Sequence, residues 1–428
     1  MSYAEFLQRK QRGWAGTAIP PADLPPKLFD WQTAIVRWAM RKGRAAIFAD
    51  CGLGKTPQQL AWAQTVPGRV LILAPLCVAE QTVAEGVKFG VPVHYARGQA
   101  TAEGHRIVIT NYEMLDRFDV SQFAGVVLDE SSILKSYDGK TRTTLIQTFA
   151  RTPYRLCCTA TPSPNDIAEL ANHAEFLGIQ TRAEFLATWF VHDDQGWRMK
   201  RHARQPFFRW LASWAVAFRK PSDLGYDDTG FILPALTIRN HVIESQSVAD
   251  ALFPELGSRG LKGRLAARRG SLSARVDAVQ AIVDEYDTWL VWCGLNEESD
   301  TLATLLPHSV NVQGSDDYEK KVRAVLGFQQ GKFPILISKL SIVGFGLNLQ
   351  HCARMVFCGL SDSYESYYQG LRRCWRFGQK RAVEATIIVS DAERVVVENV
   401  RRKEARANVL ATELLSAMRD FEREEIAV

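Results

Sequence analysis

No CxxC pair occurs in this 428-residue chain, and its eight cysteines (Cys51, Cys77, Cys157, Cys158, Cys293, Cys352, Cys358 and Cys374) have no histidines beside them at zinc-ligand spacing. That pattern excludes a zinc-finger module and gives no sign of a disulfide framework, so the thiols are expected to be reduced. The opening residues MSYAEFLQRKQRGW lack the apolar stretch of a secretion signal, and no apolar run approaches a bilayer-spanning length. A cytoplasmic protein with no membrane partner is the expectation. Repeats of solenoid period and low-complexity tracts are absent. Net charge is also small: 52 basic against 47 acidic residues leave +5. Any hold on a phosphate polymer must therefore come from local clustering.

What the chain does contain is core-forming material. Hydrophobic residues make up 46% and charged residues 23%, a globular balance, and the length suits two α/β domains with additions better than one. A proline-rich lead-in, PADLPPK, precedes an expected helix from Trp31 to Lys42. Short apolar runs then alternate with helical stretches: Ala45 to Phe48, Val70 to Ala74, Ile107 to Thr110, Val126 to Leu128 and Leu156 to Cys158. A second series follows at Leu290 to Cys293, Val310 to Val312, Ile335 to Ser338, Met355 to Cys358 and Ala385 to Val389. Both read as buried strands of parallel βαβ sheets. The expected organisation is a first lobe over 1–180, a helical, basic and aromatic insertion over 181–235, a second lobe over 236–390 and a charged helical tail over 391–428. The tail carries Val396, Val400, Leu410 and Leu414 on its apolar positions.

Two motifs carry chemistry. Residues Ala49 to Thr56 fit AxxxxGKT, placed between a strand and a helix as a phosphate loop requires. Gly52 and Gly54 let backbone N–H groups turn toward phosphates. Lys55 would neutralise the β and γ oxygens, and Thr56 would coordinate Mg²⁺ at a helix start whose dipole favours an anion. Further on, Asp129 and Glu130 follow a buried strand, at the end where open parallel sheets hold their ligands. Asp129 would hold Mg²⁺ through water, and Glu130 would orient or deprotonate the attacking water. Thr159 and Thr161, at the tip of another strand, could relay between a γ-phosphate and a bound nucleic-acid strand. Gln32 could read the adenine edge or simply start its helix.

In this order the segments LFDWQ, DCGLGKT, LILAPLCVAEQ, ITNYEML, LDESS and RLCCTATPSPND, followed by a second lobe, resemble helicase superfamily 2. The run from Gln369 to Gln379 resembles the QxxxRxxRxGQ box of its Snf2-like, duplex-translocating branch. The resemblance implies two RecA-like parallel-sheet lobes that use ATP and Mg²⁺. It puts Arg373 and Arg376 where the family's arginine fingers lie, Gly344, Gly346 and Asn348 in a tight loop beneath the nucleotide and bound strand, and Ser338 and Lys339 against the tracked backbone. There are departures: DESS replaces DEAH or DEGH, Trp375 stands where the box normally has His, and CGLSDSYESYYQ replaces the usual acidic residue and WNP element. These shifts resemble compact helicase-like proteins of bacteriophages and prophages, which implies a bacterial or phage-infected cytoplasm.

The nucleic-acid expectation has its own local support. WRMKRHARQPFFRWLASWAVAFRK, residues 197–220, interleaves basic and aromatic side chains without an acid, which suits phosphate contact through Arg201 and Arg204 and stacking on bases. The rival reading makes the aromatics core and the arginines a solvated face. A second basic run spans 258–275. The leading expectation is an ATP-driven motor on DNA, duplex foremost, with RNA as a second candidate. The alternatives are a strand-separating DNA or RNA helicase, and an ATP-gated nucleic-acid-binding adaptor in phage replication or recombination.

Overall fold

Five-residue apolar runs such as VLILA cannot cover a sheet with one wet face; every side chain of such a strand needs a buried site, which a parallel sheet sandwiched by helices supplies. The computed structural model describes residues 16–75, 78–135, 139–194, 196–243, 269–284, 286–343, 348–390 and 394–426, and it builds two such sheets. The chain divides into one unit of residues 1–231 with 406–428 and another of residues 232–405.

In the first unit the strands are β1 (Arg44–Ala49), β2 (Val70–Ala74), β3 (His94–Tyr95), β4 (Ile107–Asn111), β5 (Gly125–Asp129) and β6 (Tyr154–Cys158). A hairpin of β7 (Phe190–Asp193) and β8 (Gly196–Met199) and a final strand β9 (Ala215–Phe218) follow. The sheet order is β3-β4-β2-β5-β6-β1-β9, with every pairing parallel. Alternate residues of each strand feed opposite faces, as the two-residue period demands. Phe48, Leu71, Val126 and Cys157 join one core cluster, while Ile47, Ile72, Val127 and Cys158 join the other.

The second unit holds β10 (Leu236–Ile243), β11 (Trp289–Cys293), β12 (Ser309–Val312), β13 (Ile335–Lys339), β14 (Arg354–Cys358) and β15 (Val383–Ser390). Its order is β10-β15-β14-β11-β13-β12, again all parallel. Every strand expected from an apolar run is present. Segment 181–235 contains the helices Arg182–Trp189 and Arg204–Ala212 and, beyond the expected helix, the β7–β8 hairpin and β9, which adds to the edge of the first sheet. Its aromatics Phe207, Phe208, Trp210 and Trp214 are buried in the core of the first unit. The core reading therefore holds for them, and they are not free to stack on bases.

The long helix Arg394–Ile426 is shared: residues through 405 group with the second unit and those from 406 with the first. Val396 and Val400 are buried, as is Leu414, which lies in a core cluster of the first unit. Of the basic run 258–275, residues 258–268 lie outside the described residues. Arg275 is wholly buried, and its Nη2 donates to Glu298 Oε1 at 2.9 Å. It is a structural cation and not a surface one. Glu298 Oε2 also accepts from the backbone N–H groups of Gly294 and Leu295 at 2.7 and 3.0 Å, capping the helix Asn296–Leu305.

Removing one partner of this pair strands a buried charge. Glu298→Ala is expected to destabilise the protein by about 3–5 kcal/mol in urea unfolding, while the double variant Arg275→Met/Glu298→Leu should recover much of that loss. Equal instability of the single and double variants would show that the capping bonds, and not the ion pair, carry the effect.

Candidate active site

Register decides which residues meet. β5, β6 and β1 are neighbours, Asp129 pairs with Cys158, and Cys158 pairs with Ile47. The residues just beyond these three carboxyl ends, the loop 50–54, the pair Asp129 and Glu130, and Thr159, are thereby brought to one edge of the sheet, where ligands of open parallel sheets bind.

The loop after β1 turns through two left-handed glycines, Gly52 at φ 88° and Gly54 at φ 66°. At Gly54 a side chain is doubly disfavoured, because an added Cβ would also lie 2.4 Å from Gln32 Nε2. Gly54 is the N-cap of the helix Lys55–Thr65, and Lys55 Nζ folds back to donate to the carbonyls of Ala49 at 3.0 Å and Asp50 at 3.4 Å. A cation curled over a glycine loop at a helix N-terminus fits an anionic phosphate chain. Gln32 braces this loop: its Nε2 donates to Leu53 O at 3.3 Å, while its Oε1 accepts from Phe29 N at 3.1 Å. Gln58, absent from the expected set, donates to the carbonyls of Leu53 and Gly54 at 3.0 and 3.2 Å.

Both acids are nearly buried, at 6% exposure for Asp129 and 7% for Glu130. Gln59 Nε2, one turn beyond Lys55, donates to Asp129 Oδ1 at 2.7 Å. Thr56 is three residues before Gln59, so the two share a helix face and that face is turned toward Asp129. Among the described residues no group of three or more histidine, cysteine or carboxylate side chains could hold a metal. A hydroxyl and one carboxylate, completed by nucleotide oxygens and water, suit Mg²⁺. Tyr112 donates its hydroxyl to the backbone oxygen of Asp129 at 2.7 Å. Burial, reinforced by the Asp129 carboxylate, raises the Tyr112 phenol well above its usual range, which keeps it a donor.

Glu130 is the non-glycine residue with positive φ among the described residues, at 54°. A left-handed glutamate is a strained conformation of the kind that concentrates at functional sites. Thr159, expected to relay between a γ-phosphate and a bound strand, is wholly buried, and its hydroxyl donates to Glu130 Oε2 at 3.3 Å while accepting from Thr161 N at 3.1 Å. The structure joins it to the carboxylate. The third residue of DESS has a partner that the sequence did not suggest: Ser131 Oγ lies 3.1 Å from His173 Nε2, on the helix Leu170–Leu177.

In the second unit, Arg373 and Arg376 lie at and just beyond the end of the helix Tyr364–Cys374. Arg373 Nε donates to Gln369 O at 3.0 Å and its Nη2 to Gln369 Oε1 at 2.7 Å, so the first glutamine of the box sets the guanidinium's direction. The last, Gln379, donates to the carbonyls of Cys352 and Cys374 at 2.8 and 3.2 Å. Trp375 stacks beneath Arg372, 4.9 Å from its ring centroid, and donates Nε1–H to Pro234 O at 2.8 Å. Ser338 is buried with its hydroxyl on Val312 O at 2.9 Å, Lys339 is half-buried, and the backbone oxygen of Asn348 accepts from Gln329 Nε2 at 2.7 Å. Gly344 and Gly346 lie outside the described residues. Arg201 is exposed, and exposed Arg204 pairs with Glu413.

The SNF2-related domain family matches residues 27–193, and the helicase conserved C-terminal domain family matches residues 276–378. The chain is 22% identical to a SWI/SNF-related matrix-associated actin-dependent regulator of chromatin, subfamily A-like protein 1, of Drosophila melanogaster, over 86% of this chain and 54% of that protein. It therefore spans about half the length of the fly protein. It is 25% identical to protein p41 of Acyrthosiphon pisum secondary endosymbiont phage 1, over 89% of this chain and 97% of that one. A solved Sulfolobus solfataricus SWI2/SNF2 ATPase core in complex with dsDNA matches at a TM-score of 0.44 and 16% identity, over 92% of this chain and 95% of that one. No helix among the described residues is long and apolar enough to cross a membrane.

Burial pushes the His173 imidazole down to about 4, against the opposing backbone hydrogen bond at Glu169. Unfolded, the same ring titrates near 6.5, so between about pH 6.5 and 4 the unfolded chain binds a proton that the folded chain does not. Stability present above this window is lost as pH falls through it. Urea unfolding at pH 7 and pH 5 should cost the native sequence about 2 kcal/mol more than His173→Gln. Parallel losses would mean that the ring is not held neutral.

Proposed function

We propose that this chain, which belongs to the Snf2-like branch of helicase superfamily 2, is a nucleic-acid-stimulated ATPase that moves along duplex DNA. The observation that carries the reading is the convergence, at the ends of β1, β5 and β6, of Lys55 in its glycine loop, Asp129 and a strained Glu130. The family implies ATP as the nucleotide. Lys55 and the loop amides would bind its β and γ phosphates, while Thr56, and Asp129 through water, would hold Mg²⁺. When bound, Mg²⁺ neutralises charge on the phosphate oxygens. Glu130 orients the attacking water, with Thr159 steadying its carboxylate.

Arg373, aimed by Gln369, and Arg376 supply guanidinium groups to the transferring phosphoryl. The family resemblance implies that guanidinium groups at these two positions couple hydrolysis to movement. Arg201 and exposed Arg204 offer phosphate contacts, while Thr161, Ser338, Lys339 and Asn348 lie along segments that the family turns toward the tracked strand. Gly346 would complete the nucleotide loop.

The test is ATP turnover by the purified protein alone and with single-stranded DNA, duplex DNA or duplex RNA. Duplex DNA is expected to stimulate turnover most, and Lys55→Ala or Arg376→Ala should reduce it by roughly 100-fold or more. Preference for single strands or RNA would favour strand separation instead. No turnover under any condition would overturn the motor reading and leave an ATP-gated binding module.

A further inference from the structure

The phosphate loop and the two acids account for nucleotide chemistry, but they leave Gln59 unexplained. A side-chain amide only 1% exposed is costly to bury unless it is used. Its neighbour Gln58 serves the loop through Leu53 O and Gly54 O. Gln59 serves something else: its Nε2 reaches across to β5 and donates to Asp129 Oδ1 at 2.7 Å. An ionised carboxylate only accepts hydrogen bonds, so the amide nitrogen must be the donor.

We propose that Gln59 is the positioning residue that presents Asp129 to the nucleotide-bound cation. A neutral donor on one carboxylate oxygen fixes the side chain without cancelling the charge that attracts a cation. A lysine there would fix it equally well but would also neutralise it and repel the cation. Tyr112 holds the main chain of the same residue through Asp129 O, so backbone and side chain of one acid are secured by separate donors. Outer-shell donors of this kind tune metal affinity without touching the metal. Gln59 is fixed in turn by its place on the helix that carries Lys55 and Thr56, so the acid is oriented by the element that begins the phosphate site.

The inference rests on the nucleotide reading above, and two binding measurements separate them. One is Mn²⁺ affinity, followed by electron paramagnetic resonance in the presence of a non-hydrolysable ATP analogue. The other is affinity for a fluorescent ADP in EDTA, where no metal takes part. Gln59→Met and Gln59→Leu both remove the donor at similar volume, and thermal melting shows which of them folds. The expected result is Mn²⁺ affinity weakened by about 10- to 100-fold with metal-free nucleotide affinity unchanged. Unchanged Mn²⁺ affinity in a folded variant overturns the role of Gln59 alone. Equal loss in both measurements also overturns it, because the glutamine would then act through the loop. Failure of the native protein to bind the nucleotide with Mn²⁺ overturns the nucleotide reading itself.

Discussion

Three parallel strands, β5, β6 and β1, lie side by side and run the same way, with Asp129, Cys158 and Ile47 in register, and the chemistry of the first unit follows from that alignment. A slip of one residue would turn each strand's core set to the opposite face and move each end by a full residue rise. The two core clusters that alternate along these strands therefore do more than stabilise the sheet: they keep the loop at 50–54, the acids at 129–130 and Thr159 at the same end of it. Cross-links then refine what register makes coarse. Gln59 joins the helix to β5, Thr159 joins β6 to Glu130, and His173 joins a later helix to Ser131.

The second unit repeats the logic with different means. Its arginines depend on a helix end whose guanidinium direction is set by Gln369 and whose following turn is closed by Gln379. Trp375, standing where the family's box normally has histidine, uses its indole to do two jobs, as a platform for Arg372 and as a donor to Pro234 O. The substitution thus leaves the box tied to the chain that leads into β10.

Much of this could be read from sequence because both sheets are parallel and buried. Runs such as VLILA and ILIS need no alternation and stand out from polar surroundings. β10 did not stand out because it is an exposed edge with the mixed sequence LTIRNHVI, and β9 was concealed within a basic and aromatic stretch. Lys55, Asp129 and Glu130 belong to motifs with a physical spacing rule. Gln59, Tyr112 and His173 do not: each is a single polar residue whose value lies in a partner far away in sequence. Helical spacing from Lys55 was the one available hint for Gln59. The aromatics of 197–220 show the limit of composition, since stacking platforms and core residues are the same residue types and only burial separates them.

The helix Arg394–Ile426 has a consequence for how the protein is made. Leu414 and Leu415 are part of the two cores of the first unit, yet the whole of the second unit precedes them in the chain. During synthesis the first unit emerges long before these residues exist. Its sheet can form early, since every strand of it lies within the first 218 residues, but its apolar surface stays partly open until the second unit has been translated. Vectorial folding, in which the earlier unit is finished before the later one begins, is closed to this topology.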